Sequence, residues 1–451
     1  MACVISATSS NSGKTLLSLL LISWLKSIKK TVQTFKVGPD YLDPQQLSAV
    51  SNKACRNLDL ILSGEKWVKE SFNHFGGLTD FSFVEGVMGL FDGIGSSSKG
   101  STAELAKVLS LPIVLIIDAR GTAASLAALI KGFKEHDKAL KVAGVVLNNV
   151  QSPRHEKILL EVLNQINVKP LGFLPRCDDL YLPSRHLGLA PAHEIQNLEI
   201  KVKKWSSIAK NYLDIDSFKK LLLPPKFKDK RKIYLQKDKL DLVHPIAIAE
   251  DEAFHFRYQE TKELLENNGM PTITWKPLEN KQIPNEAKGL IIPGGFPELH
   301  ATQLSNSKTS LTSLKIFSKS FPIYAECGGM MLLGKSIFDL EGKEHSMAGI
   351  LPFRAKQGNL NIGYREAISK NESPIVATGN KLIGHEYHRW EIINEHYSSG
   401  LKPLWDIKGW GIDIKNEGFC NQLIHASWMH LHWASSPNIL DNWKRSVIRC
   451  A

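Results

Sequence analysis

Five short strand-like runs, each opening into a polar loop and each separated from the next by a helical pattern, limit most strongly what this chain can fold into. They are Ala2-Cys-Val-Ile-Ser6, Thr31 to Val37, Phe81 to Val84, Leu111 to Ile117 and Val142 to Leu147. Leu111 to Ile117 is apolar throughout, as a strand covered on both faces must be. Strands alternating with helices predict a doubly wound parallel sheet for the first half of the chain. Leu171-Gly-Phe-Leu-Pro175 and Leu187-Gly-Leu-Ala-Pro191 follow as strand and loop segments. Such a sheet binds ligands at the carboxyl ends of its strands, so the residues at those ends carry the functional information.

After the first strand comes Ala7-Thr-Ser-Ser-Asn-Ser-Gly-Lys-Thr15, then the helical pattern Leu16 to Ile28. Strand, Gly/Ser loop, Gly-Lys-Thr and helix together predict a phosphate-binding loop. Backbone N–H groups over Thr8, Ser10, Asn11, Ser12 and Gly13 would cradle phosphates at the helix N-terminus. Lys14 would reach β- and γ-oxygens, and the Thr15 hydroxyl would hold Mg²⁺. Thr8 stands where the strict pattern has glycine, so this is a variant loop. The second strand ends in Lys36-Val-Gly-Pro-Asp40-Tyr-Leu-Asp43-Pro, where the two aspartates suit either a metal or acceptor site or a plain Pro/Asp turn. The third ends at Glu85, followed by Gly-Val-Met-Gly-Leu-Phe-Asp92-Gly; an acid at a strand tip in a chain with a phosphate loop suits a metal ligand. The fifth ends at Asn148-Asn149, which suit adenine recognition or the capping of a turn.

At 451 residues the chain exceeds one ordinary domain. Its 43% hydrophobic and 22% charged content excludes a disordered chain. Cys3, Cys55, Cys177, Cys327, Cys420 and Cys450 form no CxxC pair, which argues against a disulfide framework or a zinc site. No cationic segment precedes an apolar one at the N-terminus, and Leu16 to Leu25 is too short to span a bilayer, so a cytoplasmic enzyme is expected. The net charge of +11 is concentrated: Lys201 to Leu240 holds 13 Lys/Arg against 4 Asp. That run carries no recognised nucleic-acid motif, which argues against nucleic acid, and it reads as a solvated linker or as a steering surface for a polyanionic substrate. A break at Pro224-Pro225 divides the chain into residues 1–222, a basic linker 223–243, and residues 244–440.

Pro245-Ile-Ala-Ile-Ala249 opens a second α/β domain, with a helical stretch around Phe254 to Leu265 and strands at Thr272 to Trp275 and Gly289 to Ile292. Its most informative stretch is Phe321-Pro-Ile-Tyr-Ala-Glu-Cys-Gly-Gly-Met-Met331. A strand that turns into a helix at Cys327 presents that side chain as a nucleophile, and helix-start N–H groups are expected to favour its thiolate. Gly328, with Gly294 and Gly295 in Pro293-Gly-Gly-Phe-Pro-Glu298, would supply oxyanion donors. Alternation through Ala426-Ser-Trp-Met-His430-Leu-His432-Trp433 predicts a strand with both histidines on one face, one of them the base for Cys327.

Taken together, these stretches resemble the cobyrinate a,c-diamide synthase family. The resemblance is carried by the phosphate loop, by Lys36 to Pro44, Val84 to Gly93, Pro293 to Glu298 and Tyr324 to Gly329, by Gly384-His-Glu-Tyr-His388, and by Ser427 to His432. It implies a P-loop-type domain like that of dethiobiotin synthetase, followed by a class I glutamine amidotransferase domain of flavodoxin-like α/β fold. By that analogy Cys327, with His430 raising its nucleophilicity, releases ammonia from L-glutamine, and the ammonia passes internally to the N-terminal domain. There ATP and Mg²⁺ activate the a and c acetate carboxylates of cobyrinate as acyl phosphates, which ammonia converts to amides on the way to cobalamin. Asp40, Tyr41, Asp43, Glu85 and Asp92 match the family's active-site positions, Asp40 and Glu85 as metal contacts and Tyr41, Asp43 and Asp92 towards the acceptor. The implied partners are small molecules, with neither nucleic acid nor membrane, and a homodimer is compatible. Ala7 departs from the family's common glycine. His432 stands where the wider class I enzymes have His-x-Glu, which leaves the third member of the triad unassigned. Rival readings are a ligase for hydrogenobyrinate or nickel-sirohydrochlorin, and a MinD/ParA-like ATPase switch, which would leave Cys327 and His430 without a role.

Overall fold

The computed structural model describes residues 2–180, 182, 184–185, 188–189, 195, 197–226, 244–393 and 400–451. The chain forms two compact units, residues 1–233 and 234–451. Most of the 223–243 linker assigned from sequence, and much of the 187–191 segment, lie outside the described residues.

In the first unit the elements run β1 (Val4–Ala7), α1 (Lys14–Ser27), β2 (Val32–Val37), α2 (Asp43–Ser51), β3 (Arg56–Leu58), α3 (Gly64–Gly76), β4 (Phe81–Glu85), α4 (Thr102–Val108), β5 (Ile113–Asp118), α5 (Ser125–Glu135), β6 (Val142–Val150), α6 (Pro153–Gln165) and β7 (Pro170–Pro175). The seven strands form one parallel sheet in the order β3-β2-β4-β1-β5-β6-β7, the expected doubly wound architecture. The chain leaves β1 first towards β2 and later towards β5, so the loop after β1 sits where the winding reverses, the crevice in which such sheets bind ligands. The short edge strand β3 carries only Arg-Asn-Leu, too little apolar pattern to be read beforehand.

The two-residue strands β8 (Ser184–Arg185) and β9 (Gly188–Leu189) pair with each other, and helices α7 (Leu198–Tyr212) and α8 (Ile215–Leu221) complete the unit. These two helices correct the reading of the basic run as a linker over residues 201–221; residues 227–240 lie outside the described residues. Trp205, Ala209, Leu213, Phe218 and Leu222 are buried in one cluster with the leucines of α1, and the lysines occupy the opposite face. Lys204 pairs with Asp179, and Lys219 with Asp216. This explains why α1 is apolar all round: the sheet lies on one side and α7 on the other, and every residue from Lys14 to Leu25 is buried. Among the described residues no helix is long and apolar enough to cross a membrane.

The second unit contains β10 (Ile246–Ala249), α9 (Gln259–Asn267), β11 (Thr272–Trp275), β12 (Gly289–Ile292), α10 (Ala301–Asn306), α11 (Lys308–Phe317), β13 (Ile323–Glu326), α12 (Gly328–Leu333), β14 (Ser336–Phe338) and β15 (Glu344–Ser346). Then come β16 (Arg354–Ser369), β17 (Lys381–Ile393), β18 (Lys402–Gly409), β19 (Ile412–Cys420), β20 (Ile424–Ser427) and α13 (Pro437–Cys450). Strands β11-β10-β12-β13-β20 are parallel, and antiparallel β19, β18 and β16 extend the sheet, so it is mixed rather than purely parallel. The helix anticipated from Phe254 begins only at Gln259; Phe254 and Phe256 instead make single bridges to Asp251 and Gly294. The unit continues past residue 440, because α13 buries Trp443 and Val447 against β12.

Candidate active sites

The loop after β1 has the backbone of a phosphate cradle. Asn11 and Gly13 both take positive φ, 61° and 111°, and α1 begins at Lys14. Glycine is required at position 13, since a Cβ there would lie 2.5 Å from Asn148 Nδ2. Asn148 donates to the Ser12 carbonyl at 3.0 Å, so it is committed to shaping the loop, while Asn149 donates to Asp118 at 3.1 Å. Ser10 and Asn11 form the exposed tip, Thr8 is half-buried, and Ser12 hydrogen-bonds back to the Ser9 carbonyl. Lys14 lies across the loop, its ammonium donating to the carbonyls of Met88 (2.6 Å) and Ser9 (3.4 Å). Burial, assisted by the charge of Lys36, lowers its pKa to about 8.

Beside the loop is a charge cluster built by strand register. Lys36 on β2 pairs with Glu85 on β4 in the sheet, so two ionisable side chains from neighbouring strands meet in the interior. Lys36 Nζ is 2.8 Å from Glu85 Oε1 and 3.6 Å from Asp40 Oδ2, and makes a further short contact to Asp43 Oδ2. Burial opposes the charge on Lys36, but the carboxylates of Asp43, Glu85 and Asp40 outweigh it and hold the ammonium well above its usual range. Thr15 Oγ1 donates to Glu85 Oε1 at 2.9 Å. Glu85 is fully buried, and its Oε2 has no hydrogen-bond partner. Asp40 spends Oδ1 on the N–H groups of Leu42 (2.9 Å) and Asp43 (3.1 Å) in the turn ahead of α2, while burial and then Asp43 push its pKa up. Tyr41 is buried; Asp92 is exposed and closes a turn by accepting from the Gly89 N–H at 2.8 Å. The structure thus brings Thr15, Asp40, Asp43 and Glu85 together. It adds Lys36, a lysine inside a fully buried strand, quoted from the sequence without a role.

At the second site β13 ends at Glu326 and α12 starts at Gly328, leaving Cys327 at the turn with φ 47° and ψ −110°, a strained conformation for a non-glycine residue. Its N–H is fixed to the Ser427 carbonyl of β20 at 2.8 Å. A Cβ at Gly294 would sit 2.5 Å from His430 Cε1, 3.2 Å from His430 Nε2 and 3.4 Å from Cys327 Cβ, so the backbone of residue 294, the imidazole and the nucleophile border one point. A Cβ at Gly328 would lie 3.1 Å from the Gly295 nitrogen, which brings the two expected oxyanion donors close together. Cys327 Sγ points to the Tyr387 carbonyl on β17, at 3.7 Å.

Two expectations need correction. The thiolate is not favoured in this state: burial, followed by the nearby Glu298 carboxyl, pushes the Cys327 thiol up, because a helix of six residues offers too little field to offset complete desolvation. Nor do the histidines share a strand face. β20 ends at Ser427, and Glu417 holds the exit by accepting from Ser427 Oγ (2.6 Å) and Trp428 N–H (2.7 Å). His430 then pairs its backbone with His385 of β17, at 2.9 and 3.0 Å. A fully buried His430 lies against Gly294, which Cys327 also adjoins, whereas His432 meets Ser435 Oγ at 2.8 Å and packs edge-on to Tyr258. Burial also pushes His432 down and lowers His385 to about 3.

Residues 3–189 match a CobQ/CobB/MinD/ParA nucleotide binding domain, and residues 245–438 match a CobB/CobQ-like glutamine amidotransferase domain. The chain is 37% identical over 448 residues to the cobyrinate a,c-diamide synthase of a Synechococcus species, covering 98% of this chain and 97% of that one. It is 39% identical over 454 residues to the enzyme of the same name from Caldanaerobacter subterraneus, with 99% and 98% covered. It is 33% identical over 449 residues to the hydrogenobyrinate a,c-diamide synthase of Mycobacterium bovis, with 97% and 95% covered.

Proposed function

The chain belongs to the cobyrinate a,c-diamide synthase family, a glutamine-dependent amide ligase that uses ATP, and on that premise we propose that it amidates the a and c acetate carboxylates of cobyrinate in cobalamin biosynthesis, acting in the cytoplasm. The observation that carries the reading is one chain holding two unlike sites: a phosphate loop backed by a charge cluster, and a buried Cys327–His430 pair.

At the second site the Cys327 thiol attacks the carboxamide carbon of glutamine while His430 takes its proton. The N–H groups of Gly295 and Gly328 receive the oxyanion. Collapse of the tetrahedral adduct expels ammonia, with His430 returning the proton. Water then hydrolyses the thioester to glutamate and frees the thiol. Because the resting thiol is neutral, ionisation coincides with attack and little reactive thiolate is exposed between turnovers.

At the first site Lys14 and the loop N–H groups hold the β- and γ-phosphates. The orphaned Glu85 Oε2 beside the Thr15 hydroxyl fits a cation that keeps most of its ligands as water and phosphate, as Mg²⁺ does. Mg²⁺ held by Thr15 and Glu85 would draw charge from the phosphate oxygens. Lys36 pins Glu85 Oε1; Asp40 would be the further metal contact, and Tyr41, Asp43 and Asp92 would face the carboxylate that accepts the γ-phosphoryl group. Phosphorylation gives that carboxylate a leaving group, and ammonia displaces phosphate to form the amide.

The test is mass spectrometry of cobyrinate, hydrogenobyrinate and nickel-sirohydrochlorin incubated with ATP and glutamine. Two acid-to-amide exchanges on cobyrinate, each consuming ATP, are expected. Exchange on hydrogenobyrinate with cobyrinate untouched would move the substrate to the metal-free ring, as the name of the Mycobacterium relative suggests. ATP hydrolysis without any amide product would defeat the reading.

A further inference from the structure

Glu326 is the last residue of β13, directly before the nucleophile, and a buried strand end has no need of a carboxylate there. Its two oxygens do different things. Oε1 is engaged twice, by the Tyr324 hydroxyl and by the Leu431 N–H at 3.0 Å. Those donors fix the carboxylate and turn Oε2 towards His430, 3.3 Å from Nδ1. His430 is fully buried, so an imidazolium formed by taking the thiol proton would find no water to solvate it. His432, two residues further on, is held against Ser435 and Tyr258 and carries no negative charge to offer.

We propose that Glu326 is the positioning residue for His430: it accepts the Nδ1 proton, so that Nε2 is left unprotonated as the base, and it offsets the imidazolium that forms. The strand-to-helix turn therefore supplies the nucleophile and the partner of its base from adjacent residues. The chain turns sharply between Glu326, the end of β13, and Cys327, and the loop carrying His430 meets Glu326 directly and shares the neighbourhood of Gly294 with Cys327. The inference rests on the reading of Cys327 and His430 as the glutaminase pair.

Glu326→Gln tests it, because glutamine retains an oxygen for Tyr324 and Leu431 while placing an NH₂ group opposite Nδ1. Nδ1 must then accept, the proton moves to Nε2, and the base is lost with the packing kept. Glutamine hydrolysis is expected to fall by about 10²- to 10⁴-fold, in kcat rather than KM. Amidation with ammonium salts and the melting temperature should be unchanged. Alkylation of Cys327 by iodoacetamide, followed against pH, should shift to higher pH. The other titratable groups facing this pair, Glu298 and Glu386 around the thiol and His385 beside His430, are the same in both proteins. If Glu326→Gln unfolds, Tyr324→Phe removes one tether from Oε1 and should show a smaller loss of the same kind. His430→Ala is measured alongside. If that variant still hydrolyses glutamine, the underlying pair is wrong. If it is inactive while Glu326→Gln keeps wild-type hydrolysis and an unshifted alkylation profile, the positioning role alone is overturned.

Discussion

Lys36 and Cys327 are both buried at the carboxyl ends of parallel strands, yet their surroundings treat charge in opposite ways. Lys36 sits among three carboxylates and stays an ammonium despite complete burial. Cys327 is desolvated beside the carboxyl groups of Glu298, Glu326 and Glu386, which hold it as a neutral thiol. The difference follows the chemistry assigned to each unit. Phosphoryl transfer moves negative charge between oxygens, and a site with fixed charges and an open carboxylate oxygen can receive it without reorganising. Attack on a carboxamide needs a nucleophile that is strong once formed, and a buried thiol that ionises only as its proton leaves meets that need without exposing a reactive anion.

The sharpest way to break this comparison is to remove one site and supply the product of the other. Cys327→Ser should lower glutamine-dependent amidation by about 10³-fold or more and leave ammonia-dependent amidation intact, measured with both nitrogen donors. Equal loss with both donors would merge the two sites into one. Lys14→Ala should give the opposite pattern, a loss of about 10²- to 10³-fold with either donor, because the phosphate charge loses its cation. Within the second site, His430→Ala should remove most glutamine hydrolysis and His432→Ala should cost less, since His430 shares the neighbourhood of Gly294 with Cys327 while His432 is held against Ser435 and Tyr258. A larger loss in His432→Ala would reverse the assignment.

The smallest effect concerns protons rather than rates. Lys14 has its pKa lowered to about 8 in the ligand-free chain, and bound polyphosphate restores the preference for ammonium. Above pH 8 the free residue is largely neutral, so ATP binding should take up a proton; well below 8 it is already charged and no uptake arises at this position. Calorimetry in buffers of differing ionisation enthalpy reads this directly, and Lys14→Arg, permanently charged, should show none.

The first unit was legible because its central strands are buried and Leu111 to Ile117 reads as an unbroken apolar run, with helical patterns between the strands. The long hairpin β16–β17 was not, because its residues are polar and alternately exposed, and the chain there pairs at a distance that no local period reveals. The same contrast holds for the sites. Gly13-Lys14-Thr15 and Cys327-Gly328-Gly329 are local motifs whose backbone dictates their geometry. Lys36 meeting Glu85, and Glu326 meeting His430, depend on register and on a returning loop. Each nonetheless left a trace: a lysine and a glutamate within short strands whose other residues are buried. The extent of α7 and α8 was hidden by their lysines, which mask an apolar face that is obvious once Trp205 and Phe218 are seen beneath α1.

That cover over α1 bears on how the chain can be dissected. The nucleotide-binding match ends at residue 189, before α7 begins at Leu198. A fragment cut at 189 would carry the whole phosphate loop but would strip α1 of its outer wall, exposing a leucine-rich surface to water. Such a fragment should self-associate, whereas one extended through α8 should remain monodisperse. The autonomous nucleotide-binding unit is therefore longer than its recognisable motif, and insertions or truncations between 198 and 221 would act on ATP chemistry through a helix that holds none of its residues.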